Sequence, residues 1–296
     1  MTRVPKTILA VAVFLLSSSF QDPQIRVEVE AVNVLATVAG DKGRFVTNLV
    51  QQNFQLYEDG RLQEITNFSQ PTNLPLQIGL LIDTSSSVRL KLEFEKRAAS
   101  DFLYSVMSYK DRALLVEFDT GVSLIHDFTR RPSSIIQSIK KLRAGGGTAL
   151  IDAIYLVSRD KMFGGTDRKT MVILSDGQDL NSRHTLQEGI EMAHRAGVII
   201  YAIGTTRFGT SVDDKGEKTL EELTENTGGR AFFPYSTERL AEAFDLINEE
   251  LRTQYSLTFV PSNTQRDGKF REIELKLPKH KNLKIRHREG YFAPSE

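Results

Sequence analysis

Apolar and polar residues follow two different patterns along this chain. Between residues 25 and 70, and again after residue 252, apolar residues alternate with polar ones, which is the period of a half-buried β-strand. Between residues 76 and 251, short continuous apolar runs alternate with segments whose apolar residues recur at helical spacing. The chain is therefore predicted to hold an α/β region between two β-rich segments.

The central region predicts an α/β fold with a doubly wound, mostly parallel, Rossmann-like sheet, because its strands alternate with helices. The predicted buried strands are residues 76–82, 113–118, 122–126, 170–174 and 198–203. The connection through Asp119, Thr120 and Gly121 is too short for a crossover helix. The strand that follows it is therefore expected to be an antiparallel strand at the edge of the sheet.

Three predicted helices carry apolar stripes that are expected to lie in the core. The stripes are Phe94, Ala98, Phe102 and Val106; Ile135, Ile139 and Leu142; and Leu240, Phe244, Ile247 and Leu251. Ser236 precedes the last stripe and is the predicted N-cap of that helix.

The two β-rich segments, residues 21–70 and 252–296, are each small for an independent domain. In the first, Glu58-Asp59-Gly60 follows an apolar strand and predicts a tight hairpin. We expect the two segments to pack together into one β-sandwich, with the α/β domain of residues 76–251 inserted between them. Residues 69–75 are the predicted linker.

The first 20 residues resemble a signal peptide. Arg3 and Lys6 precede an apolar run at residues 8–16, and three serines follow it. The run is shorter than the ~20 apolar residues of a membrane-spanning helix, so no stable membrane span is expected after removal of the leader. The protein is therefore expected to be exported to the periplasm or the extracellular space.

Composition narrows the classes of function. Lysine plus arginine and aspartate plus glutamate both number 38, so no basic excess favours binding to nucleic acid. The chain has no cysteine, which excludes disulfides, thiolate metal sites and cysteine nucleophiles.

Three loops with oxygen-bearing side chains are expected at one edge of the sheet, since the carboxyl ends of parallel strands meet there. They are Asp83-Thr84-Ser85-Ser86-Ser87, Gly145-Gly146-Gly147-Thr148 and Ser175-Asp176-Gly177. Taken singly, the first could cap a helix, Thr148 could cap another, and Asp176-Gly177 could form an ordinary turn. Together they favour a site for a divalent cation, because Mg²⁺ prefers oxygen ligands.

In their order and spacing, these loops resemble a von Willebrand factor type A domain with a metal-ion-dependent adhesion site (MIDAS). The resemblance implies a metal site made of Asp83, Ser85, Ser87, Thr148 and Asp176. It implies Mg²⁺ or Mn²⁺, with Ca²⁺ less suited, and a protein partner whose acidic side chain completes the coordination. Ser86 stands where many family members have glycine, and this departure removes no ligand.

The flanking segments also resemble a bacterial group, the VWFA-related domain proteins of acidobacterial type. The similar stretches run from Phe54 to Gly60 and from Gly290 to Ala293. The biochemical role of that group is poorly defined.

An enzyme is not expected. The glycine run lacks the Gly-Lys-Ser/Thr of a phosphate-binding loop, the chain has no Gly-x-Ser-x-Gly, and its five histidines are scattered. A metal ion that is bound mainly by hydroxyl groups, with no paired general base, is poorly equipped to catalyse hydrolysis. The sequence therefore favours an exported, metal-dependent protein-binding module. The alternative is a structural or assembly factor of the cell envelope whose metal is not essential.

Overall fold

The computed structural model describes residues 31–41, 43–69, 74–165, 167–205 and 214–295. The predicted leader, the alternating residues 25–29 and most of the predicted linker lie outside this part of the chain. Within it, no helix has the length and apolar character needed to cross a membrane.

The structure contains fourteen strands and six α-helices in its described residues. The strands are β1 (Val32–Ala39), β2 (Gln55–Glu58), β3 (Arg61–Gln63), β4 (Ile65–Ser69), β5 (Leu76–Asp83), β6 (Arg112–Phe118), β7 (Val122–Thr129), β8 (Arg168–Ser175), β9 (Val198–Gly204), β10 (Ala231–Phe232), β11 (Tyr255–Phe259), β12 (Phe270–Lys276), β13 (Lys284–His287) and β14 (Gly290–Phe292). The helices are α1 (Leu92–Val106), α2 (Pro132–Ile139), α3 (Leu150–Asp160), α4 (Leu186–Ala196), α5 (Asp214–Thr227) and α6 (Thr237–Thr253).

The central sheet has the strand order β10-β9-β8-β5-β6-β7. All of its neighbouring strands are parallel except β6 and β7, which pair antiparallel at one edge. Strands β5, β8 and β9 are buried along their whole length because helices cover both faces of the sheet. The predicted α/β fold and its antiparallel edge strand are confirmed.

Each face of the sheet has its own apolar core. Ile78, Leu80 and Ile82 of β5 pack in the cluster that includes α1, α2 and α6, whereas Leu81 packs with α3, α4 and α5 on the other face. This division follows from the two-residue period of a strand. The predicted strands were short by one to three residues at some of their ends, and β10, with only two residues, gave no pattern to detect.

The helix predictions hold in α2 and α6 but fail in part of α1. The α6 stripe and the α2 stripe are buried, and the Ser236 hydroxyl accepts a hydrogen bond from the Arg239 backbone N–H. Phe94, however, is 51% exposed, so its predicted place in the core was wrong. Phe102 and Val106 are buried as predicted, but the buried face passes through Glu95 and Ala99 at the start of the helix, because a strict four-residue spacing drifts around a helix with 3.6 residues per turn.

Strands of the two flanking segments pair with each other. They form two four-stranded antiparallel sheets, with the orders β13-β1-β11-β4 and β14-β12-β2-β3. Side chains from both segments share one apolar cluster that includes Val34, Leu56 and Phe259. Asp59 and Gly60 have φ angles of 46° and 75°, so the predicted tight hairpin between β2 and β3 is confirmed.

Candidate metal centre

The first loop begins at the carboxyl end of β5. Asp83 is fully buried, and its Oδ1 accepts a 2.8 Å hydrogen bond from the backbone N–H of Ser85. The hydroxyl oxygens of Ser85 and Ser87 lie 2.9 Å apart. Ser85 is buried and Ser87 is exposed, so this loop presents hydroxyl oxygens at the surface edge of the sheet.

The second loop is held against the first by backbone hydrogen bonds. The N–H of Gly145 donates to the Thr84 carbonyl at 2.7 Å, and the N–H of Ser86 donates to the Gly146 carbonyl at 3.2 Å. A Cβ at Gly147 would lie 2.0 Å from Oδ1 of Asn181. A side chain at Gly147 would displace the Asn181 amide, and Gly146 has a φ of 81°, so these two positions before Thr148 favour glycine.

The backbone of Thr148 joins the second loop to the third. Its N–H donates to Oδ1 of Asn181 at 2.9 Å, and its carbonyl accepts from the N–H groups of Leu180 and Asn181. Thr148 itself is 3% exposed. These bonds fix the position of the threonine relative to the loop that carries Asp176.

The third loop begins with Ser175 at the end of β8. The Ser175 hydroxyl donates to Oδ2 of Asp83 at 2.7 Å and accepts from the N–H of Gly177 at 3.0 Å. Asp176 is 7% exposed, and its Oδ1 accepts from the N–H of Gln178 at 3.1 Å. The structure thus brings the three loops that carry Asp83, Ser85, Ser87, Thr148 and Asp176 to one edge of the sheet.

The electrostatics of the site favour a cation. Burial raises the pKa of Asp83 to about 6, although hydrogen bonds from Ser175 and Ser85 act in the opposite direction. The nearby charge of Asp176 raises this pKa further. Two carboxylates held close together and away from water repel each other, and a positive ion between them would relieve that repulsion.

The residues present suit a hard divalent cation such as Mg²⁺. The donor set consists of hydroxyl and carboxylate oxygens, and the described residues contain no group of three or more histidine, cysteine, aspartate and glutamate side chains arranged to hold a metal. A further buried carboxylate, in addition to Asp83 and Asp176, lies behind the ligand loops: neither oxygen of Glu95 has a hydrogen-bond partner in the described structure. Polar atoms left unpaired at this place also fit a site that takes an ion.

Three further aspartates lie near the predicted ligands in sequence. Oδ1 of Asp179 accepts from the N–H of Leu150 at 3.0 Å, so this exposed side chain caps α3. Asp152, in the first turn of α3, accepts three hydrogen bonds from Arg183 and His184. Oδ1 of Asp119 accepts from the N–H of Gly121 at 3.1 Å, so this side chain stabilises the turn between β6 and β7.

Sequence reasoning missed the residues that connect the loops. Ser175 was placed in the third loop without a role, and its position directly before Asp176 was the available signal. Asn181 and Thr120 gave no signal, because each binds the second loop through a hydrogen bond to a residue that is distant in the sequence. Thr120 accepts a 2.9 Å hydrogen bond from the N–H of Gly147 through its hydroxyl oxygen.

Two cavities of the described structure lie elsewhere. One, of about 550 Å³, is lined by residues between Gly40 and Asn48, and the other, of about 520 Å³, lies where α4 and β8 approach the flanking sheets. Neither is lined by a predicted ligand.

Comparison with known proteins identifies the family. Residues 77–246, more than half of the chain, match the model of the von Willebrand factor type A domain. A segment of 139 residues is 31% identical to Cochlin from Homo sapiens, a match that covers 44% of this chain and 24% of that protein.

Two solved structures share the fold. One is a von Willebrand factor type A protein from Catenulispora acidiphila, with 12% identity and a TM-score of 0.53 over 90% of this chain and 74% of that chain. The other is proximal thread matrix protein 1 from the mussel byssus with a zinc-occupied MIDAS motif, with 18% identity and a TM-score of 0.52 over 63% of this chain and 47% of that chain. The family match and the doubly wound sheet agree, and the chain belongs to the von Willebrand factor type A domain family.

Proposed function

We propose that this chain is an exported protein-binding module that holds Mg²⁺ at the edge of its type A domain. The ion is bound through Asp83, Ser85, Ser87, Thr148 and Asp176, and an acidic side chain of a protein partner supplies a remaining ligand. The observation that carries the proposal is the pair of serine hydroxyls 2.9 Å apart, beside two nearly buried aspartates.

Each residue has a distinct task in this proposal. Ser85 and Ser87 offer neutral oxygens to the ion, while Asp83 and Asp176 supply the negative charge that balances it. Thr148 offers a third hydroxyl from the second loop. The bound ion supplies an electrophilic position that accepts a carboxylate oxygen.

Mg²⁺ is proposed because the oxygen donors come from short, hydrogen-bonded loops. Mn²⁺ suits the same donors, whereas Ca²⁺ takes six to eight oxygen ligands and is less suited to a site with five protein residues. The zinc-occupied MIDAS motif of the byssus protein supports a divalent cation at this type of site.

The rest of the proposal concerns location and domain organisation. The charged and apolar pattern of residues 1–20 supports export to the periplasm or the extracellular space. The pairing of β1 and β4 with β11 supports a single β-sandwich built from residues 21–70 and 252–296, with the type A domain of residues 76–251 inserted. The proposed ligands include no general base paired with a nucleophile, so we do not propose an enzyme.

Metal-dependent stabilisation tests the site. Mg²⁺ at ~100 times its dissociation constant should raise the free energy of unfolding by ~2.7 kcal/mol in the wild type. Asp83→Ala should remove that increase. No response to Mg²⁺ or Mn²⁺ in the wild type, or an equal response in the variant, contradicts the proposal.

A pull-down from envelope extract tests the partner. We expect capture of a protein in Mg²⁺ that is lost in EDTA and in Asp83→Ala. Capture that is unaffected by EDTA supports the alternative, a structural or assembly factor of the cell envelope whose metal is not essential.

A further inference from the structure

Glu95 is a buried acidic residue that belongs to none of the three ligand loops. It lies in the first turn of α1 and is 2% exposed. Other buried carboxylates of the described structure are held by partners: Glu250 by Thr37 and Tyr201, and Glu58 by Tyr291. Both oxygens of Glu95, in contrast, are buried and have no hydrogen-bond partner among the described residues.

Hydrogen bonds place Glu95 behind the metal-site loops. Its backbone N–H donates to the carbonyl of Lys91, and the Lys91 ammonium donates to the carbonyl of Thr205. The N–H of Thr205 donates to the carbonyl of Ser175, whose hydroxyl in turn binds Asp83. This turn of α1 therefore packs across the carboxyl ends of β5, β8 and β9, where the predicted ligands lie.

The surroundings of Glu95 are electrostatically unfavourable for an isolated carboxylate. Burial raises its pKa to about 8, and the charges of Asp83 and Asp176 raise it as well. Lys91 and the nearby Thr205 hydroxyl lower it, although that hydroxyl lies outside hydrogen-bonding geometry and is itself unpartnered. An unpaired buried carboxylate is destabilising unless a charge, a hydrogen-bond donor or a bound proton compensates it.

A cation at the edge of the sheet is a compensating charge for this group. We infer that Glu95 is a supporting carboxylate of the cation site, which lies behind the ligand loops, does not ligate the ion, and increases its affinity through its negative charge. The inference rests on the proposed function, since it needs a cation at that edge. It extends the site to a helix that contributes none of the five proposed ligands.

The chain offers a matched control for this inference. Glu93 lies two positions earlier in α1, its side chain is 81% exposed, and it forms a 2.7 Å ion pair with Lys96. Glu93→Gln removes the same formal charge from the same helix, but on its solvent side. An effect of net charge alone would appear equally in both variants.

Titration of the metal-free protein with Mg²⁺ and with Mn²⁺, followed by calorimetry, tests the inference. Removal of a supporting group at a metal site typically lowers affinity by about 10- to 100-fold, and we expect that loss in Glu95→Gln. Glu93→Gln should bind with nearly wild-type affinity. Glu95→Asp keeps the charge and shortens the side chain, and it should restore part of the affinity lost in Glu95→Gln.

Thermal unfolding of the metal-free variants separates this role from a purely structural one. If Glu95→Gln changes the unfolding midpoint but binds both ions as the wild type does, the inference is overturned while the proposed function stands. If Glu95→Gln does not fold, Glu95→Leu replaces the buried carboxyl group by an apolar side chain, and wild-type metal affinity in that variant overturns the inference. Absence of binding to the wild type instead contradicts the proposed function itself.

Discussion

The Ser175 hydroxyl donates a 2.7 Å hydrogen bond to Oδ2 of Asp83 and so links the ends of two neighbouring strands. The other carboxylate oxygen of Asp83 is held by the backbone of Ser85. Both oxygens of this buried side chain are thus oriented by the protein before any ion binds. Such orientation lowers the loss of freedom that binding would otherwise require.

Ser175→Ala should therefore weaken the site. It leaves one buried oxygen of Asp83 without its donor, and we expect a loss of about 1–3 kcal/mol in the free energy of unfolding. Affinity for Mg²⁺ should fall by roughly tenfold or more, because the group that orients a proposed ligand is gone. Urea denaturation and calorimetric titration measure the two effects. Unchanged affinity would show that Ser175 does not orient a metal ligand.

Gly177→Ala should destabilise the third loop. Gly177 has a φ of 80°, and a Cβ there would lie 2.2 Å from the carbonyl oxygen of Gly216. The left-handed backbone alone disfavours alanine by about 1–2 kcal/mol, and the clash adds to this loss. Gly121→Ala is the control, since a Cβ there meets nothing within 4 Å. Urea denaturation of both variants checks the expectation, and equal stabilities would contradict it.

Arg286→Met should destabilise the contact between α6 and the flanking strands. The Glu250 carboxylate is 0% exposed and binds the Arg286 guanidinium of β13. The Arg286 side chain is 32% exposed, and Thr37 and Tyr201 also bind Glu250, so the loss should be smaller than the ~3–5 kcal/mol typical of a fully buried pair whose remaining charge is uncompensated. The exposed pair of Arg239 and Glu242 serves as the control.

Arg239→Met should change the free energy of unfolding by less than about 1 kcal/mol. The double variant Arg286→Met with Glu250→Gln should regain part of the stability lost in Arg286→Met, since it no longer buries an unpaired carboxylate. Chemical denaturation gives all of these free energies. A loss in Arg286→Met as small as that in Arg239→Met would refute the role given to the buried pair.

His194 should make the fold sensitive to acid. Burial lowers its pKa from 6.5 to about 4, and the nearby charge of Arg288 acts in the same direction. The folded protein therefore keeps this imidazole neutral while the unfolded chain takes up a proton below pH 6.5. The neutral imidazole therefore contributes about 3 kcal/mol to the free energy of unfolding above pH 6.5. This contribution is lost as the pH falls toward 4.

His194→Gln isolates this contribution, because Asp83 and Glu95 titrate in the same range with the opposite sign. The difference in unfolding free energy between wild type and variant should shrink as the pH falls from 6.5 to 4. The measurement is urea denaturation in EDTA at several pH values, which keeps cation binding out of the comparison. A constant difference would mean that His194 does not couple folding to pH.

Local sequence patterns were sufficient for much of the central domain. Continuous apolar runs identified the buried strands, and the short Asp119-Thr120-Gly121 connection identified the antiparallel edge. The three oxygen-bearing loops could also be placed, because parallel strands end at the same edge of a sheet. These features depend on periodicity and on connection length, both of which are present in the sequence itself.

The sequence alone was less informative where distant segments meet. It did not identify the Ser175 contact with Asp83 or the Asn181 contact with Thr148, since neither has a periodic signal. Strands β10 and β14 are too short to show a recognisable apolar pattern. Each is defined instead by its pairing with a neighbouring strand, β9 and β12 respectively.

Helix α1 shows the difference most directly. By itself, the sequence determined that this segment is an amphipathic helix that follows the first ligand loop. Only the tertiary structure decided that Glu95 is buried behind the aspartates while Phe94 is exposed. The rotation of a helix on a sheet depends on the packing of both elements, and a burial pattern that includes a charged residue cannot be recognised from hydrophobicity alone.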